Sequence, residues 1–563
     1  NYDYWSIKIN ENGTKIKEKV YGGTTLDAAT SKIATKDGGY LISGYSSSGI
    51  NGNKTTANFG NNDYWVVKVA PTLELSATPR TTTICAGNTL DIDYSIASCS
   101  NFKAGNNLKV ELSNAAGSFA SATTLLTQAT VAASGTLTVT IPTTATGEFY
   151  KIRVSSSSLI DTVIIGSLFT VVTQSQCNCI DETVIDWQAS FGGTALDILN
   201  ITIPTSDGGY LLGGYSSSNT GGNKTRNTFG NNDYWIVKID ANGIKQWDSI
   251  YGGTNIDELN EIIPTNDGGY LLGGYSSSPA SGNKTRNSYG QSDYWIVKIN
   301  ANGTKQWDSI YGGSNFDQLT KIIASSDDGY LLGGFSLSSA SGNKTTNSYG
   351  SNDYWVVKID ANGTKQWENN YGGTSTDQLN TIIAISDGGY LLGGLSQSNA
   401  NGNKTRNSFG GTDYWLVKIN ANGTKQWDSI YGGTSTDWLS TIVATSDNGY
   451  LLGGYSSSLA NGNKSSSSYG ADDYWLVKID ANGTKQGENI YGGTSTDALL
   501  SNALVATSNG NFLLGGSSQS NISGNKTLNS FGSVDYWVVT INANGTKINE
   551  KVYGGLNVEY SRS

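Results

Sequence analysis

Between Gly312 and Gly373 the apolar and polar positions alternate in a way that divides the chain into short strands and tight turns. Leu319-Thr-Lys-Ile-Ile-Ala324 is an apolar-rich run, and the Ser326-Asp327-Asp328-Gly329 that follows has the composition of a hairpin turn. Tyr330-Leu-Leu-Gly-Gly-Phe335 reads as a second strand, its paired glycines pointing to a close backbone approach or a bend. A polar loop of Ser, Asn, Gly and Lys runs from Ser336 to Asn352. Asp353-Tyr-Trp-Val-Val-Lys-Ile-Asp360 alternates as a half-buried third strand does. Ala361-Asn362-Gly363 turns the chain, and Thr364-Lys-Gln-Trp-Glu-Asn-Asn-Tyr371 is the fourth strand. No helical period occurs, so the predicted unit is four antiparallel strands, the blade of a β-propeller. A β-solenoid is the rival, but two tight hairpins per unit suit a blade far better than a β-helix coil.

The unit repeats. Asp-Tyr-Trp begins at Asp3, Asp63, Asp233, Asp293, Asp353, Asp413, Asp473 and Asp535, and five of the seven intervals are 60 residues. The last is 62, and the interval from Asp63 to Asp233 is 170, one period plus 110 residues. Asp-Gly-Gly-Tyr or a variant keeps the same phase at Asp37, Asp207, Asp267, Asp328, Asp387, Asp447 and Asn509. Seven complete units follow a lone third-plus-fourth strand pair at Tyr4 to Tyr21, and the tail from Gly554 to Ser563 begins a further first strand. An eight-bladed ring closed by strands from both ends uses every piece; a seven-bladed ring is the alternative.

The extra residues interrupt the first full unit. Its third strand is Asp63 to Ala70, and its fourth appears only at Ile185-Asp-Trp-Gln-Ala-Ser-Phe-Gly-Gly193. Between them the pattern changes to short alternating strands such as Leu73-Glu-Leu-Ser-Ala, Leu108-Lys-Val-Glu-Leu, Thr136-Leu-Thr-Val-Thr-Ile and Tyr150-Lys-Ile-Arg-Val. About seven such strands describe an immunoglobulin-like β-sandwich. The predicted organisation is all-β: propeller over 1–70, sandwich over 71–183 in a strand 3–strand 4 hairpin, and the remaining blades over 184–563.

Composition narrows the function classes. A net charge of −10 and a pI near 4.7 argue against nucleic acid, which needs clustered cations. No stretch approaches the 18 apolar residues of a membrane span, so no membrane insertion is expected. The 71 glycines and 32 tyrosines against 6 prolines suit many short strands. Asn1 to Trp5 already lie inside a repeat, so the chain reads as part of a larger product. Cys85, Cys99, Cys177 and Cys179 all fall in the insert; their even number suggests disulfides, Cys85–Cys99 and Cys177–Cys179 being the local pairing. Zinc would need a four-Cys site of odd spacing, since there is no His, so no metal is expected.

The same lack of His removes the usual positioned base, and no catalytic residue or cofactor is expected. Carboxylates recur at Asp27, Asp197, Asp257, Asp317, Asp377, Asp437 and Asp497, but a residue present in every blade is first a blade-building one, accepting N–H bonds near a turn. The breaks in the repeat are Trp438, Gly487 (where other fourth strands carry Trp247, Trp307, Trp367 and Trp427) and Asn509, and they form no constellation in sequence. The Asp-Ala-Asn-Gly turn lacks the oxygen ligands of a calcium loop.

Binding is the expectation that remains. Every long loop carries Gly-Asn-Lys: Asn53-Lys54, Asn223-Lys224, Asn283-Lys284, Asn343-Lys344, Asn403-Lys404, Asn463-Lys464 and Asn525-Lys526, each followed by an aromatic and Gly. Amides and ammonium groups bond hydroxyls and an aromatic ring can stack on a sugar, so a glycan or surface protein is the expected partner. The alternative is that Asn caps the loop and Lys is a surface charge. Asn-x-Thr triplets such as Asn362-Gly-Thr match glycosylation acceptors but sit in turns.

Two resemblances bear on this. Ile84-Cys-Ala-Gly-Asn88, Phe102 to Leu108, Glu111 to Phe119 and Tyr150 to Ser155 resemble an immunoglobulin-like domain of large secreted Bacteroidota proteins, and the propeller repeat is similar to repeats of the same proteins. This implies export by the type IX route and an extracellular or cell-surface location. Asp-Ala-Asn-Gly-Thr-Lys-Gln-Trp is also similar to the tryptophan-docking repeat of quinone-dependent dehydrogenases, but that family's adjacent cysteine pair is missing, because Cys177 and Cys179 are separated. The expected function is therefore a non-enzymatic surface adhesin or binding module acting through the long loops, with a structural display unit as the alternative and a quinone-type propeller enzyme behind it.

Overall fold

The computed structural model describes residues 3–9, 15–35, 39–69, 74–79, 89–97, 107–113, 119–120, 122–129, 134–140, 152–156, 162–165, 185–507 and 510–554. Their regular structure is all β-strand. Seven four-stranded sheets share one plan, an antiparallel meander in chain order, and a two-stranded sheet of Tyr4–Ile9 and Lys15–Tyr21 precedes them. In the sheet of Asp317–Ala324, Tyr330–Ser336, Asp353–Ile359 and Lys365–Tyr371, Asp317 pairs with Ser336, Ser336 with Asp353, and Tyr354 with Tyr371. The first strand thus starts two residues before the apolar run that marks it in sequence. Asp317 is polar and fully buried, which a count of hydrophobic positions does not see.

The first of the seven takes three strands from Asp27–Ala34, Tyr40–Ser46 and Asp63–Val69 and its fourth from Ile185–Phe191. The chain between forms a three-stranded sheet (Glu74–Pro79, Thr89–Ala97, Ser134–Thr140) and a four-stranded one (Asn107–Leu112, Thr123–Ala129, Ile152–Ser156, Thr162–Ile165). Two compact units result, residues 1–32, 42–66 and 188–563 in one and 33–41 with 67–187 in the other. Cys85, Cys99, Cys177, Cys179 and Asn509 lie outside the described residues.

The core lies between sheets. One cluster joins Tyr294 and Ile296 of one sheet to Leu319, Ile322, Trp355 and Val357 of the next. Each Asp-Tyr-Trp supplies both halves of such a junction. The Tyr234 hydroxyl donates to the Trp295 carbonyl at 3.0 Å, with ring centroids 4.7 Å apart, and the link recurs from Tyr4–Trp65 to Tyr474–Trp537. Fourth strands add a second contact. The Trp307 ring lies against the Cα of Gly363 in the next sheet's Asp-Ala-Asn-Gly turn, where Gly363 has φ +77°, and the Tyr311 hydroxyl donates to the Gly363 carbonyl. The turn closes on itself, Asp360 Oδ1 accepting from the N–H groups of Asn362 and Thr364 at 2.9 and 2.8 Å.

The paired glycines sit opposite a bulge. Leu319 pairs with Gly334 and Lys321 with Gly333, which leaves Thr320 as the extra residue. Its hydroxyl reaches the carbonyls of Gly333 and Leu379 at 3.1 Å, the second in the next sheet's first strand. Asn200, Asn260, Asn380 and Ser440 make the same step from sheet to sheet. First strands joined directly in this way form the inner edge of a propeller-like row of sheets, where fanned sheets come closest.

Candidate functional site

The Asn-Lys pairs are built into the frame of repeated sheets. Asn343 Oδ1 accepts from Gly312 N–H at 3.0 Å and its Nδ2 donates to the Ile310 carbonyl at 2.7 Å, so the amide clamps the end of the preceding sheet's fourth strand. Asn53, Asn223, Asn283, Asn403, Asn463 and Asn525 make the same two bonds, to Gly22, Gly192, Gly252, Gly372, Gly432 and Gly492 and to the carbonyls two residues before them. The partner lysines point inward. Lys54, Lys224, Lys284, Lys344, Lys404, Lys464 and Lys526 are only 1–3 % exposed. The Lys284 ammonium donates to the carbonyls of Ser278 and Arg286 at 2.8 and 2.5 Å and lies 6.0 Å from the Trp295 ring centroid. Burial pulls the Lys224, Lys284, Lys344, Lys404 and Lys464 ammonium groups down to about 8, against the opposing pull of the nearby carboxylates. Ligand contact through these fourteen residues is therefore replaced by a structural role: amide and ammonium groups alike are turned onto backbone carbonyls.

The recurring aspartates are also interior. Asp317 Oδ2 accepts from Gly313 N–H and the Ser338 hydroxyl, both at 2.8 Å, which shapes the connection between sheets. At the opposite turn Asp327 Oδ1 accepts from Gly329 N–H and Lys358 Nζ. Burial alone would raise that carboxyl, but Ser325, Lys358 and Gly329 outweigh it and hold it at about 2. Among the described residues no group of three His, Cys, Asp or Glu is arranged to hold a metal.

What varies is the inner edge. In six of the seven sheets, all but that of Asp27–Ala34, the second residue of the first strand pairs with the sixth of the second strand: Ile198 with Tyr215, Glu258 with Tyr275, Gln318 with Phe335, Gln378 with Leu395, Trp438 with Tyr455, and Ala498 with Ser517. The residues on either side are Asp and Leu in all six first strands. Trp438 and Tyr455 lie parallel, 2° between planes and 6.2 Å between centroids, and both are half-buried. Asp472 is close enough to raise the Tyr455 phenol, after burial, and burial raises the Asp472 carboxyl itself. Three sheets away, the Tyr275 hydroxyl donates to Glu258, whose other oxygen accepts from Asn232 Nδ2 at 2.8 Å. Three residues further along the same strand, Glu261 meets Lys321 of the next sheet at 3.1 Å. Trp438 stands out in the sequence as a break in the repeat; its neighbours stand out only when the repeats are aligned column by column.

Of the other breaks, Gly487 has an open Cα, and its missing indole is answered by Asn489, which takes the place against the Gly545 turn. Nothing gathers there.

No family model matches the chain, and no curated protein does. Among solved structures it aligns with one described as a gluconolactonase (9 % identity, 53 % of this chain and 80 % of that one, TM-score 0.24). An apocarotenoid oxygenase/RPE65 chimera (11 %, 64 % and 82 %, 0.31) and a variant of Synechocystis apocarotenoid oxygenase (10 %, 64 % and 82 %, 0.30) align as well. By their names these are enzymes. The expectations of a chain that is not an enzyme, and of a non-enzymatic adhesin or display unit, are corrected accordingly: a ring of repeated sheets, with or without His, is no ground for excluding catalysis. At these TM-scores the likeness carries no argument for any one activity, and none is transferred.

Proposed function

We propose that the chain binds its ligand, or substrate, at the inner edge of the ring, at the end where the loops between second and third strands begin, with Trp438 and Tyr455 as the contact platform. The observation that carries this is the divergence of the inner-edge pairs within repeats that are otherwise nearly uniform. Junction positions are held by packing, so the positions released from it are where recognition can be written. A flat aromatic pair with Gln318, Gln378 and Glu258 on neighbouring sheets suits a ring-shaped ligand with an apolar face and hydrogen-bond donors. Glu258 and Asp472 disfavour an anion, so the ligand is neutral or cationic. Binding to a panel of neutral and cationic ring compounds, saccharides and nitrogen heterocycles, measured by calorimetry, tests it. Trp438→Ala is expected to weaken binding by about 30-fold, as loss of an aromatic anchor worth about 2 kcal/mol does, while the thermal midpoint stays unchanged. Equal affinity in the variant would place the site elsewhere.

The same reading takes the ring as eight-membered. The sheet of Tyr4–Ile9 and Lys15–Tyr21 has a neighbour on each side: Tyr4 bonds the Trp65 carbonyl at 2.9 Å, and Glu18 lies within electrostatic reach of the Tyr553 phenol of the last sheet. The seven described strands of the insert, in sheets of three and four, support an immunoglobulin-like sandwich. Its four cysteines support an oxidising, extracellular setting and a glycan or surface protein as the ligand's source.

A further inference from the structure

Every junction between consecutive full sheets buries two carboxyl groups against each other. A parallel bridge between Ser292 and Phe316, with Asp317 N–H donating to the Ser292 carbonyl at 2.7 Å, brings Asp293 at the head of one third strand beside Asp317 at the head of the next first strand. Both are 0 % exposed. Asp293 Oδ2 accepts from Tyr289 N–H at 2.6 Å, but Asp293 Oδ1 meets no N–H or O–H donor, and the group it faces is the Asp317 carboxyl. Asp317 Oδ1 is buried without a donor as well; burial raises the Asp317 carboxyl too, although Ser336, Gly313 and Ser338 pull it the other way. The same arrangement joins Asp63 to Asp197, Asp233 to Asp257, Asp353 to Asp377, Asp413 to Asp437 and Asp473 to Asp497, and every one of the six leading aspartates has a buried Oδ1 without a donor.

The surrounding charges do not balance the pair. Lys284 faces Asp257, Asp293 and Asp308, and Lys344 faces Asp317, Asp353 and Glu368, so one such lysine serves each pair of junction carboxyls. Its ammonium hydrogens already go to backbone carbonyls or, for Lys344, also to the Asn370 amide oxygen. Asp308 and Glu368 are ion-paired with Lys305 and Lys365. The Tyr294 phenol, also facing Asp317, donates instead to the Trp355 carbonyl. Two buried, ionised carboxylates facing each other, each with a donorless oxygen, would suffer both desolvation and repulsion. A proton resolves both: on Asp293 it makes the missing donor and removes one charge.

We propose that each of these six junctions holds one proton between its two carboxyls, so that the ring takes up protons as it folds near neutral pH and is tightened by mild acid. Burial, aided by the facing aspartate, holds Asp63, Asp233, Asp293, Asp413 and Asp473 at about 7 and Asp353 at about 6. The folded chain then binds more protons than the unfolded one between about pH 4 and about pH 7, and stability falls as pH rises through that window. Below about pH 4 the slope reverses, because Asp207, Asp267 and Asp327, held at about 2, lose their partners on protonation.

The test is infrared spectroscopy of the folded chain across this range, following the C=O stretch of protonated carboxyl groups. A band present at about pH 6 and lost as pH passes about 7 is expected, with a smaller amplitude in the Asp293→Asn, Asp413→Asn double variant. A folded protein without that band at about pH 6 would overturn the proposal. So would a band the double variant leaves intact, or a band-free protein whose unfolding midpoint above neutrality rises with calcium chloride, which would make the pairs cation sites. If the variant does not fold, the wild-type urea midpoint decides. It should fall from about pH 5 to about pH 7, before deprotonation of the buried lysines, held at about 8, turns the slope upward. A flat profile between about pH 5 and about pH 7 contradicts shared protons.

Discussion

Replacing Trp295 by alanine is expected to lower the unfolding free energy by about 3–5 kcal/mol, the range for emptying a buried indole. The side chain is fully buried in a cluster with Tyr234, Leu259 and Ile262 of two successive sheets. It also loses three directed contacts: its Nε1–H bond to Asp308 at 3.1 Å, the Tyr234 ring at 4.7 Å, and the Lys284 ammonium over its face. Urea unfolding followed by far-ultraviolet circular dichroism measures the change. A loss below about 1 kcal/mol would mean that the junction collapses around the cavity, and that sheets are held chiefly by other contacts.

Gly334→Ala should be at least as severe, and for a reason that no propensity scale contains. A Cβ on Gly334 would lie 2.0 Å from the Gln318 carbonyl oxygen and 2.8 Å from the Tyr294 hydroxyl. The first is backbone, so relief requires the bulge at Thr320 to move, and with it the hydrogen bond to Leu379 that steps to the next sheet. Loss of about 3 kcal/mol or more is expected, at the upper end for a single substitution. The control is Gly208→Ala, whose Cβ would meet nothing within 4 Å and whose penalty is only that of its φ of +87°. That should be about 1–2 kcal/mol. Equal effects at the two glycines would show that the close approach at the bulge is not what fixes the sequence there.

These two positions also show how far the sequence could be read. Alternation and turn residues located all four strands of each unit, because strands packed on neighbours alternate and turns need glycine at positive φ, as at Gly363. The bulge was half legible: Gly333-Gly334 announces a close approach, but which strand approaches depends on pairing across the sheet. Buried polar groups were misjudged for a related reason. Lys344 and Asn343 look like surface chemistry in a loop of Ser, Asn and Gly. Only the fold shows that the loop bends back over Trp355 and hands the ammonium group the carbonyl of Thr346. A loop that satisfies its own backbone with side chains is composed like one that offers them to a ligand. The inner-edge pairs were hidden by the opposite effect, since Glu258 and Gln318 are unremarkable alone and stand out only once the register places them in one column.

The division between a uniform, interior frame and a divergent inner edge rests on where the repeated lysines point. Lysine acylation of the native chain, mapped by mass spectrometry, reads this directly. Lys54, Lys224, Lys284, Lys344, Lys404, Lys464 and Lys526 should all stay unmodified under conditions that label Lys109, whose side chain is 44 % exposed. Labelling of the seven at the rate of Lys109 in the folded protein would contradict the account, because it would put their ammonium groups on the surface and return them to the reach of a ligand.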